Sequence, residues 1–270
     1  MSDAYWDQTV ALLHFDGANA STGIFDSAYR TAFSASGNAQ LSTAQKKFGI
    51  SSAIFDGSGD CFTTSTGLSG FDFGTGDFTV EFFINQVATT TLSYGVVSYR
   101  DTGTNGWAIE CGKTVRLRAN VGGAWSDAVF ESAVGAVPSG TFVHVAVTRS
   151  GGTLRAFVDG VQVASQSPSV AIGTNGSTVR IGCSASNVEN PLNGYIDELR
   201  VTKGVARYTA NFTAPTTAFE EGVVPTVDTN AHPDKVIFLA DFNGVNDANT
   251  FSDLAYRHTL SGAGTPKLSS

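Results

Sequence analysis

The sequence predicts an all-β chain that forms a two-sheet antiparallel sandwich or jelly roll. Short segments that run apolar or alternate in polarity recur through the first 219 residues, and clusters of Gly, Asn and Asp separate them. No segment shows a long helical period. The chain contains 30 glycines, and only 15% of its residues are charged. This composition is typical of turn-rich β structure with a neutral, hydroxylated surface.

The predicted strands are short and follow one another at near-regular spacing, which favours a sandwich or jelly roll. In chain order they are 10–15, 52–55, 78–84, 95–99, 107–111, 115–119, 142–148, 154–158, 178–182 and 194–201. Short helical turns are predicted at 28–33, 44–48 and 205–208, and none is long enough to set the architecture. Phe55, Phe78, Phe82 and Phe142 are predicted core residues.

Residues 142–165 predict a three-stranded meander. Ser150-Gly151-Gly152 and Asp159-Gly160 separate its three apolar runs, and both turns accept the positive φ that tight hairpins need. His144 lies inside the first strand, where we expect it to be packed or hydrogen-bonded.

Charge and hydropathy exclude two classes of partner. The formal net charge is −8 and no basic run occurs, whereas nucleic-acid binding needs clustered Lys and Arg. No apolar stretch is long enough to insert into a membrane. The N-terminus lacks a basic region followed by an apolar one, so we expect no secretory signal. The protein then stays in the cytoplasm where it is made, or leaves by a route that does not read an N-terminal peptide, such as the release of virus particles by host lysis.

The three cysteines, Cys61, Cys111 and Cys183, match no metal-binding or redox spacing. We expect three buried thiols in strands. A disulfide between two of them is the alternative, and nothing in the sequence supports it.

The composition of the sequence changes after residue 219. Residues 220–235 carry acidic residues, two prolines and no periodic pattern, which predicts a linker between a domain at 1–219 and the remainder. Residues 236–270 then repeat the start of the chain without gaps. Matching positions include Phe242 with Phe15, Gly244 with Gly17, Asn246 with Asn19, Asp253 with Asp26, Tyr256-Arg257 with Tyr29-Arg30, Gly264 with Gly37, and Leu268-Ser269 with Leu41-Ser42.

This partial repeat, 236–270, predicts a short C-terminal β segment. The first strands of a sandwich alone cannot bury an apolar face or satisfy their edges. Either the rest of a second domain is missing or the segment packs on another surface. We expect it to pack on a neighbouring domain or subunit, for example as an added strand.

Four blocks carry a family resemblance: SSAIFDGSGDCFTT at 51–64, FGTGDFTVEFFIN at 73–85, FVHVAVTRSGGTLRAFVDGVQVAS at 142–165 and NGYIDELRVTKGVARY at 193–208. In this order they resemble concanavalin A-like, laminin G-like jelly rolls. The ending IDELRVTKGVARYTANFTAPTTAF, 196–219, looks most like laminin G-like domains of tailed-bacteriophage virion proteins. The resemblance implies about a dozen strands, with the first pairing near the last, in a module that binds glycans or proteins and in some cases calcium.

The same fold carries retaining glycosidases, whose catalytic acids follow the pattern Glu-x-Asp-x-Glu on one strand face. Here Asp197 and Glu198 are adjacent, so a regular strand would point them to opposite faces. We therefore expect no enzyme. The four histidines have no partnered nucleophile, and no glycine loop precedes a helix.

Two kinds of binding site remain. Asp16, Asp56, Asp60 and Asp197 supply the oxygen ligands that calcium prefers, and the resembled fold can bring them together. The alternative is that these Asp-Gly pairs only form turns. For a glycan, Trp125 in a polar loop is the best stacking residue. Trp107, Tyr99 and Asn105 are weaker candidates, and Trp125 can equally cover a core edge or a subunit interface.

The leading interpretation is a non-enzymatic phage virion protein, either a head decoration or a tail-fibre component. It would be assembled in the host cytoplasm, bind cell-surface glycan or other virion proteins, and form a homo-oligomer. The first alternative is a cellular glycan-binding laminin G-like module of a larger surface protein or glycosidase. An enzyme of unrecognised chemistry is the second.

Overall fold

A computed structural model describes residues 3–28, 32–65, 68–87, 93–101, 105–121, 124–125, 129–173, 176–184 and 190–222, and three short strands between 240 and 261. The chain divides into two compact units, Met1–Glu221 and Gly222–Ser270. Most of the predicted linker lies outside the described residues, so its extent stays a prediction.

The first unit is built almost entirely from strands. They are β1 Thr9–Leu13, β2 Ile24–Phe25, β3 Ala32–Ser36, β4 Gln40–Ser42, β5 Ser52–Asp56, β6 Cys61–Thr64, β7 Phe78–Gln86, β8 Tyr94–Arg100, β9 Gly106–Cys111, β10 Val115–Val121, β11 Ala124–Trp125, β12 Phe130–Glu131, β13 Val143–Ser150, β14 Thr153–Val158, β15 Val161–Gln166, β16 Thr178–Ile181 and β17 Asn193–Lys203. Each strand predicted from the sequence overlaps one of these, and the predicted bounds differ from the observed ones by a few residues at most.

Two antiparallel sheets form the sandwich. Among the described residues, sheet 1 has the order β15-β14-β13-β7-β17-β5-β4, with β1 also paired to β17. Sheet 2 has the order β11-β10-β9-β8-β16-β6-β3-β2, with β12 also paired to β10. The first strand therefore pairs with the last strand of the unit, as the family resemblance implies.

The core lies between the two sheets. Trp107 is fully buried, and Phe73 stacks between it and Phe78 at centroid distances of 5.1 and 4.3 Å. Three of the four predicted core phenylalanines, Phe55, Phe78 and Phe82, are buried. The prediction for Phe142 is wrong. That ring packs on a separate apolar cluster with Leu12, Phe83 and Phe219, which covers the outer face of sheet 1.

The predicted meander is confirmed as β13, β14 and β15. Its second turn requires unusual backbone angles, with φ of +47° at Asp159 and +80° at Gly160. A side chain at Gly160 would also collide with the carbonyl of Phe212. The turn therefore needs glycine for its own conformation and for the close approach of a later segment.

The predicted helical turns are wrong. Residues 32 and 33 belong to β3, residues 44–48 form bends, and residues 205–208 are not helical; residues 29–31 lie outside the described residues. Single 3-10 turns occur instead at Trp6–Gln8 and Leu68–Phe71. In the described part of the chain, no helix has both the length and the apolarity to cross a membrane.

The prediction of three free thiols is also wrong. Cys61 and Cys183 form a disulfide, and only Cys111 is a free, buried cysteine. The two bonded residues are separated by 122 positions in sequence. Sheet 2 nevertheless brings them together, because β16 pairs with β6 and places Ile181 opposite Phe62.

Residues 205–219 cross the outer face of sheet 1, and we call this segment the strap. Side chains of the sheet hold its backbone, and its rings pack on the sheet. Its hydrogen bonds to the sheet include Thr79 Oγ1 to the carbonyl of Val205 (2.9 Å), Thr148 Oγ1 to the carbonyl of Tyr208 (3.0 Å), and the amides of Phe212 and Phe219 to Gly160 O (2.9 Å) and Glu198 Oε2 (2.8 Å). The strap turns a polar sheet face into a buried one.

The second unit contains strands β18 Ala240–Asp241, β19 Thr250–Asp253 and β20 Thr259–Ser261. In its β19–β20 hairpin, Phe251 lies opposite Leu260 and Ser252 opposite Thr259. The matching positions of the first unit, in hairpin β2–β3, have the same register: Ile24 opposite Phe33 and Phe25 opposite Ala32. This agreement supports the predicted repeat, although its packing partner stays a prediction.

Candidate functional site

Two of the predicted glycan-binding residues face the core. Tyr99 and Trp107 are cross-strand neighbours on β8 and β9 and belong to the apolar core. The indole N–H of Trp107 donates a 2.7 Å hydrogen bond to the carbonyl of Phe71. Because a sugar stacks only on an exposed ring face, these two side chains cannot serve as stacking residues in this structure.

Trp125 lies on β11 at the edge of sheet 2 and is partly buried. The guanidinium of Arg100 lies over its ring, 3.6 Å from the centroid, and that of Arg118 lies at 5.2 Å. Such stacking is a favourable cation–π arrangement. Asn105 does not join this group; its amide N–H and its side chain bond both carboxylate oxygens of Asp101, at 3.1 and 2.6 Å.

Trp125 belongs to a polar surface on the outside of sheet 2. Alternation along the strands produces this surface, because Tyr99, Ile109 and Leu117 point to the core and their neighbours point away from it. We call it the arginine face, and it comprises Arg100, Glu110, Arg116, Arg118, Trp125, Glu131 and Arg180.

Positive charges outnumber negative charges on the arginine face. Glu110 is fully buried and lies 3.4 Å from Arg118 and 4.0 Å from Arg116. Arg116 also pairs with Glu131 at 3.0 Å. The described residues of this face thus contribute four guanidinium groups and two carboxylates. The chain as a whole carries a net charge of −8, so the face is a local cationic region on an acidic protein.

Several polar atoms of the arginine face have unused hydrogen-bonding capacity. Glu110 Oε2, Arg116 Nε and Trp125 Nε1 are buried, and none has a hydrogen-bond partner in the described structure. Leaving such groups unpaired costs about 1–3 kcal/mol each. Unsatisfied polar atoms gathered on one face are therefore an indication of a binding surface for a polar ligand.

The four predicted calcium ligands are acceptors for main-chain and side-chain N–H groups. Asp60 accepts the amides of Asn38 (2.7 Å) and Asp56 (2.9 Å), which closes the turn between β5 and β6. Asp56 in turn accepts hydrogen bonds from the side chain of Asn38 and from the amide of Ser58, and these bonds lower the pKa of Asp56. The turn alternative is thus realised at this pair.

Asp16 and Asp197 belong to a different region, beside the loop between β4 and β5. Asp16 accepts the amide of Ile50 at 2.6 Å, and Asp197 Oδ2 accepts the amides of Lys47 and Phe48 at 2.6 and 3.1 Å. In the described part of the chain, no group of three or more His, Cys, Asp or Glu is arranged to hold a metal ion. Calcium binding stays a prediction for direct titration.

The expectation that Asp197 and Glu198 point to opposite faces is wrong. The pairing of β17 with β7 shifts register between Asp197 and Arg200, and Glu198 has a φ of +51°. This is a β-bulge, which turns both carboxylates to the outer face of sheet 1. Asp197 contacts the amide of Phe48 and Glu198 that of Phe219, and both rings lie in the same outer cluster.

The bulge creates a buried acidic pair. Burial, followed by the charges of Glu198 and Asp16, raises the pKa of Asp197 to about 7, against the opposing effect of its two amide hydrogen bonds. His14 Nδ1 lies 2.9 Å from both carboxylate oxygens of Glu198. Burial alone would lower the pKa of His14, but Glu198, Glu221 and Asp16 together raise it. Because Asp197 and Glu198 are closed to solvent, a sugar cannot reach them here.

Sequence reasoning missed a second buried charged network, centred on Glu81 beneath the strap. Arg200 donates to Glu81 Oε1 at 2.7 Å, while Tyr208 and His144 bond Oε2 at 2.9 and 3.1 Å. Burial alone would raise the pKa of Glu81, but the charge of Arg200, with His144 and Arg207, lowers it to about 2. Alternation along β7 predicts an outward Glu81, and only the strap makes it buried.

The architecture defines the class: two antiparallel sheets face to face, with β1 beside β17 and a polar outer face on sheet 2, make a lectin-like jelly roll. A family model for the concanavalin A-like lectin/glucanases superfamily, of laminin G type, matches residues 55–207. The chain belongs to this family. The predicted all-β fold and the laminin G-like resemblance are confirmed, whereas the closer likeness to phage virion proteins stays a prediction.

Solved structures share the fold at low sequence identity. Domain 4 of an extracellular arabinanase from Geobacillus stearothermophilus, in complex with arabinotriose, has a TM-score of 0.54 and 17% identity; the match covers 73% of this chain and 93% of that one. The ligand-binding domain of botulinum neurotoxin serotype D, in complex with N-acetylneuraminic acid, has a TM-score of 0.56 and 14% identity, covering 75% and 49%.

The receptor-binding domain of a botulinum neurotoxin C/D mosaic has a TM-score of 0.57 and 12% identity, covering 74% of this chain and 49% of the toxin domain. The chain therefore spans about half the length of these toxin domains. No curated protein sequence matches the chain significantly.

Proposed function

We propose that this chain is a lectin-like module that binds saccharide through its arginine face and serves as a non-enzymatic structural protein of a tailed-phage particle. Its place would be on the head as a decoration or in a tail fibre. The main support for saccharide binding is the arginine face. There Arg100 stacks on Trp125, and several buried polar atoms on the outside of a lectin-like sheet have no hydrogen-bond partner in the described structure.

The saccharide part of the proposal has further support from the fold. Solved structures with the same fold include the arabinanase domain with arabinotriose and the toxin domain with N-acetylneuraminic acid. A non-enzymatic role is supported by the buried acids at 197 and 198, whose carboxylates hold the loop at 47–48 and the end of the strap.

The virion part rests on the sequence of 196–219, which includes the strap, and on its resemblance to laminin G-like domains of phage particles. We propose that the partial repeat at 236–270 packs on a neighbouring domain or subunit, which would place the chain among other virion proteins or in a homo-oligomer. The location would then be the virion, after assembly in the host cytoplasm.

One observation favours the alternative, a glycan-binding module of a larger cellular surface protein or glycosidase. The disulfide between Cys61 and Cys183 is typical of proteins that mature in an oxidising compartment and is unusual for proteins assembled in the cytoplasm. Under this alternative the saccharide-binding surface is the same, and only the location differs.

A glycan array with the full-length protein tests saccharide binding. We expect retention of at least one glycan class by the native chain and by a Trp6→Ala control, and loss of this signal with Trp125→Ala. Trp6 is suitable because it packs on the outer cluster of sheet 1, away from the arginine face. If the native chain retains no glycan at all, the binding proposal is wrong.

The location needs a separate measurement. Antibodies against the native chain should label purified phage particles in immunogold electron microscopy, and the labelled end of the particle distinguishes head from tail. Unlabelled particles, combined with label on a cell surface, would support the alternative instead.

A further inference from the structure

The arginine face has a chemistry that separates acidic from neutral sugars. We propose, resting on the proposed saccharide binding, that its ligand is an acidic saccharide, one that carries a carboxylate or sulfate group beside free hydroxyls. Arg116 and Arg118 would bind the oxyanion, and Glu110 would accept a hydrogen bond from a sugar hydroxyl.

The position of Trp125 is the first step of the argument. A neutral sugar commonly stacks its C–H face on an open aromatic ring. Here the guanidinium of Arg100, 3.6 Å from the ring centroid, lies over the indole. Trp125 therefore acts as a positioning residue for cationic side chains, and the groups left to meet a ligand are guanidinium groups, which bind planar oxyanions through paired N–H donors.

The exposure of the arginines is the second step. Arg116 and Arg118 have side-chain exposures of 29% and 15%, and they lie on the same face of β10, two residues apart. Arg100 and Arg180 are more buried and donate to main-chain carbonyls of Ser184 and Arg100, respectively. On the arginine face, Arg116 and Arg118 are therefore accessible to a ligand, whereas Arg100 and Arg180 have a structural role.

The buried carboxylate is the third step. Glu110 is fully buried, and its Oε2 has no hydrogen-bond partner in the described structure, although Arg116 lies 4.0 Å away. A simple anion would be repelled by this carboxylate, whereas a hydroxyl group satisfies it by donating a hydrogen bond. An anion that also carries hydroxyls matches both groups. Glu110 is closed to solvent in the unliganded chain. A hydroxyl can reach it only when the partly exposed Arg116 side chain, 4.0 Å away, turns from Glu110 toward the bound oxyanion, and we expect this movement on binding.

A separate cavity of the first unit lacks this combination of exposed arginines and an unsatisfied carboxylate. It has a volume of about 400 Å³ and is lined by Tyr5, Arg200, Arg207 and Phe219. Its two arginines are less exposed than Arg116 and Arg118, at 8% each. Arg207 also forms a two-bond pair with Asp3, at 2.6 and 2.8 Å, and Arg200 pairs with Glu81.

Isothermal titration calorimetry with the full-length chain tests the proposal. The probes are an oligogalacturonate for the carboxylate, a heparin-derived oligosaccharide for the sulfate, neutral maltohexaose, and sodium sulfate alone. We expect at least one of the two acidic oligosaccharides to bind at least about tenfold more tightly than maltohexaose. Affinity for it should fall between 50 and 200 mM salt, because exposed ion pairs are screened.

Matched variants locate the site. Arg116→Gln and Arg118→Gln should each weaken the acidic ligand about tenfold, and Glu131→Gln should strengthen it by removing the charge that competes for Arg116. Arg155→Gln removes one positive charge from β14 of sheet 1 and should change affinity less than twofold. An equal loss in Arg155→Gln would show binding by net charge alone and overturn the proposed site.

The outcomes distinguish this inference from the proposed function. If maltohexaose binds as tightly as both acidic ligands and loses affinity with Trp125→Ala, the chain is a lectin but the acidic class is wrong. If sodium sulfate alone competes fully at equal concentration, the hydroxyl contact with Glu110 is wrong. If none of the saccharides binds, both the inference of an acidic ligand and the saccharide-binding proposal are wrong.

Discussion

Replacing Asp197 by Asn should stabilise the protein above neutral pH. The carboxyl group of Asp197 is buried, and above pH 7 it carries a negative charge that burial disfavours. Its Oδ2 accepts the amides of Lys47 and Phe48, while its Oδ1 is buried without a hydrogen-bond partner in the described structure. In Asn, the carbonyl oxygen can take the position of Oδ2, and the amide group can take that of Oδ1. The substitution therefore keeps both hydrogen bonds and removes the charge.

The magnitude follows from the pKa of Asp197. Burial first, then Glu198 and Asp16, raise this pKa from 3.8 to about 7. Because the folded state holds the proton more tightly than the unfolded state, the free energy of unfolding decreases as pH rises from about 4 to about 7. At about 1.4 kcal/mol for each pKa unit, the loss is at most about 4 kcal/mol.

Urea denaturation at pH 5, 6, 7 and 8 measures the effect. The difference between Asp197→Asn and the native chain isolates Asp197 from His14, whose raised pKa also adds stability that is lost as pH rises. We expect the stability of the variant relative to the native chain to increase by about 2–3 kcal/mol between pH 5 and pH 8. Asp56→Asn is the matched control, since the lowered pKa of Asp56 makes its contribution disappear as pH falls.

Two results would refute this reasoning. A variant that is less stable than the native chain at pH 8 would mean that the negative charge of Asp197 is favourable in the fold. An unchanged difference from pH 5 to pH 8 would mean that Asp197 is ionised throughout, with a pKa near its ordinary value.

Two further predictions concern stability. Glu81→Gln should lower the free energy of unfolding by about 3–5 kcal/mol at pH 7, because it leaves Arg200 buried without its main counter-charge; thermal unfolding followed by circular dichroism measures this, and a change below 1 kcal/mol would contradict the buried network. Reduction of the Cys61–Cys183 disulfide should cost about 4–5 kcal/mol, since the bond closes a long loop. Cys111→Ala serves as its control, and equal urea midpoints with and without reductant in that variant would show that the disulfide adds no stability.

The fold could be predicted from the sequence because its signals are local. Asp159-Gly160 specifies a tight hairpin, and alternation along β7 and β13 fixes which side chains face the core. The same alternation places Trp107 inside, next to Tyr99 on the neighbouring strand. The glycan prediction placed these residues outside because it weighed the polar turn before Trp107 and not the strand that follows.

The errors arise where distant parts of the chain meet. The bulge at Glu198 depends on the pairing of β17 with both β1 and β7. The local sequence IDELRV contains no pattern that predicts a bulge. The alternation along β7 predicts that Glu81 faces solvent, and it is buried only because the strap covers it. The bond between Cys61 and Cys183 likewise requires the strand order of sheet 2. Trp125 was found from the sequence, but its arginine neighbours come from β8 and β10 and appear only in the folded sheet.

The hairpins β2–β3 and β19–β20 keep one register although their neighbouring strands differ: β6 pairs with the second strand of the first hairpin, and β18 pairs with the first strand of the second hairpin. The information that sets this register therefore resides in the short stretch itself and not in the surrounding sheet. Contacts of such low sequence separation form early and at small entropic cost. We therefore expect this segment to act as an autonomous folding seed, which would begin to organise each repeat as soon as it is synthesised and before any long-range strand pairing.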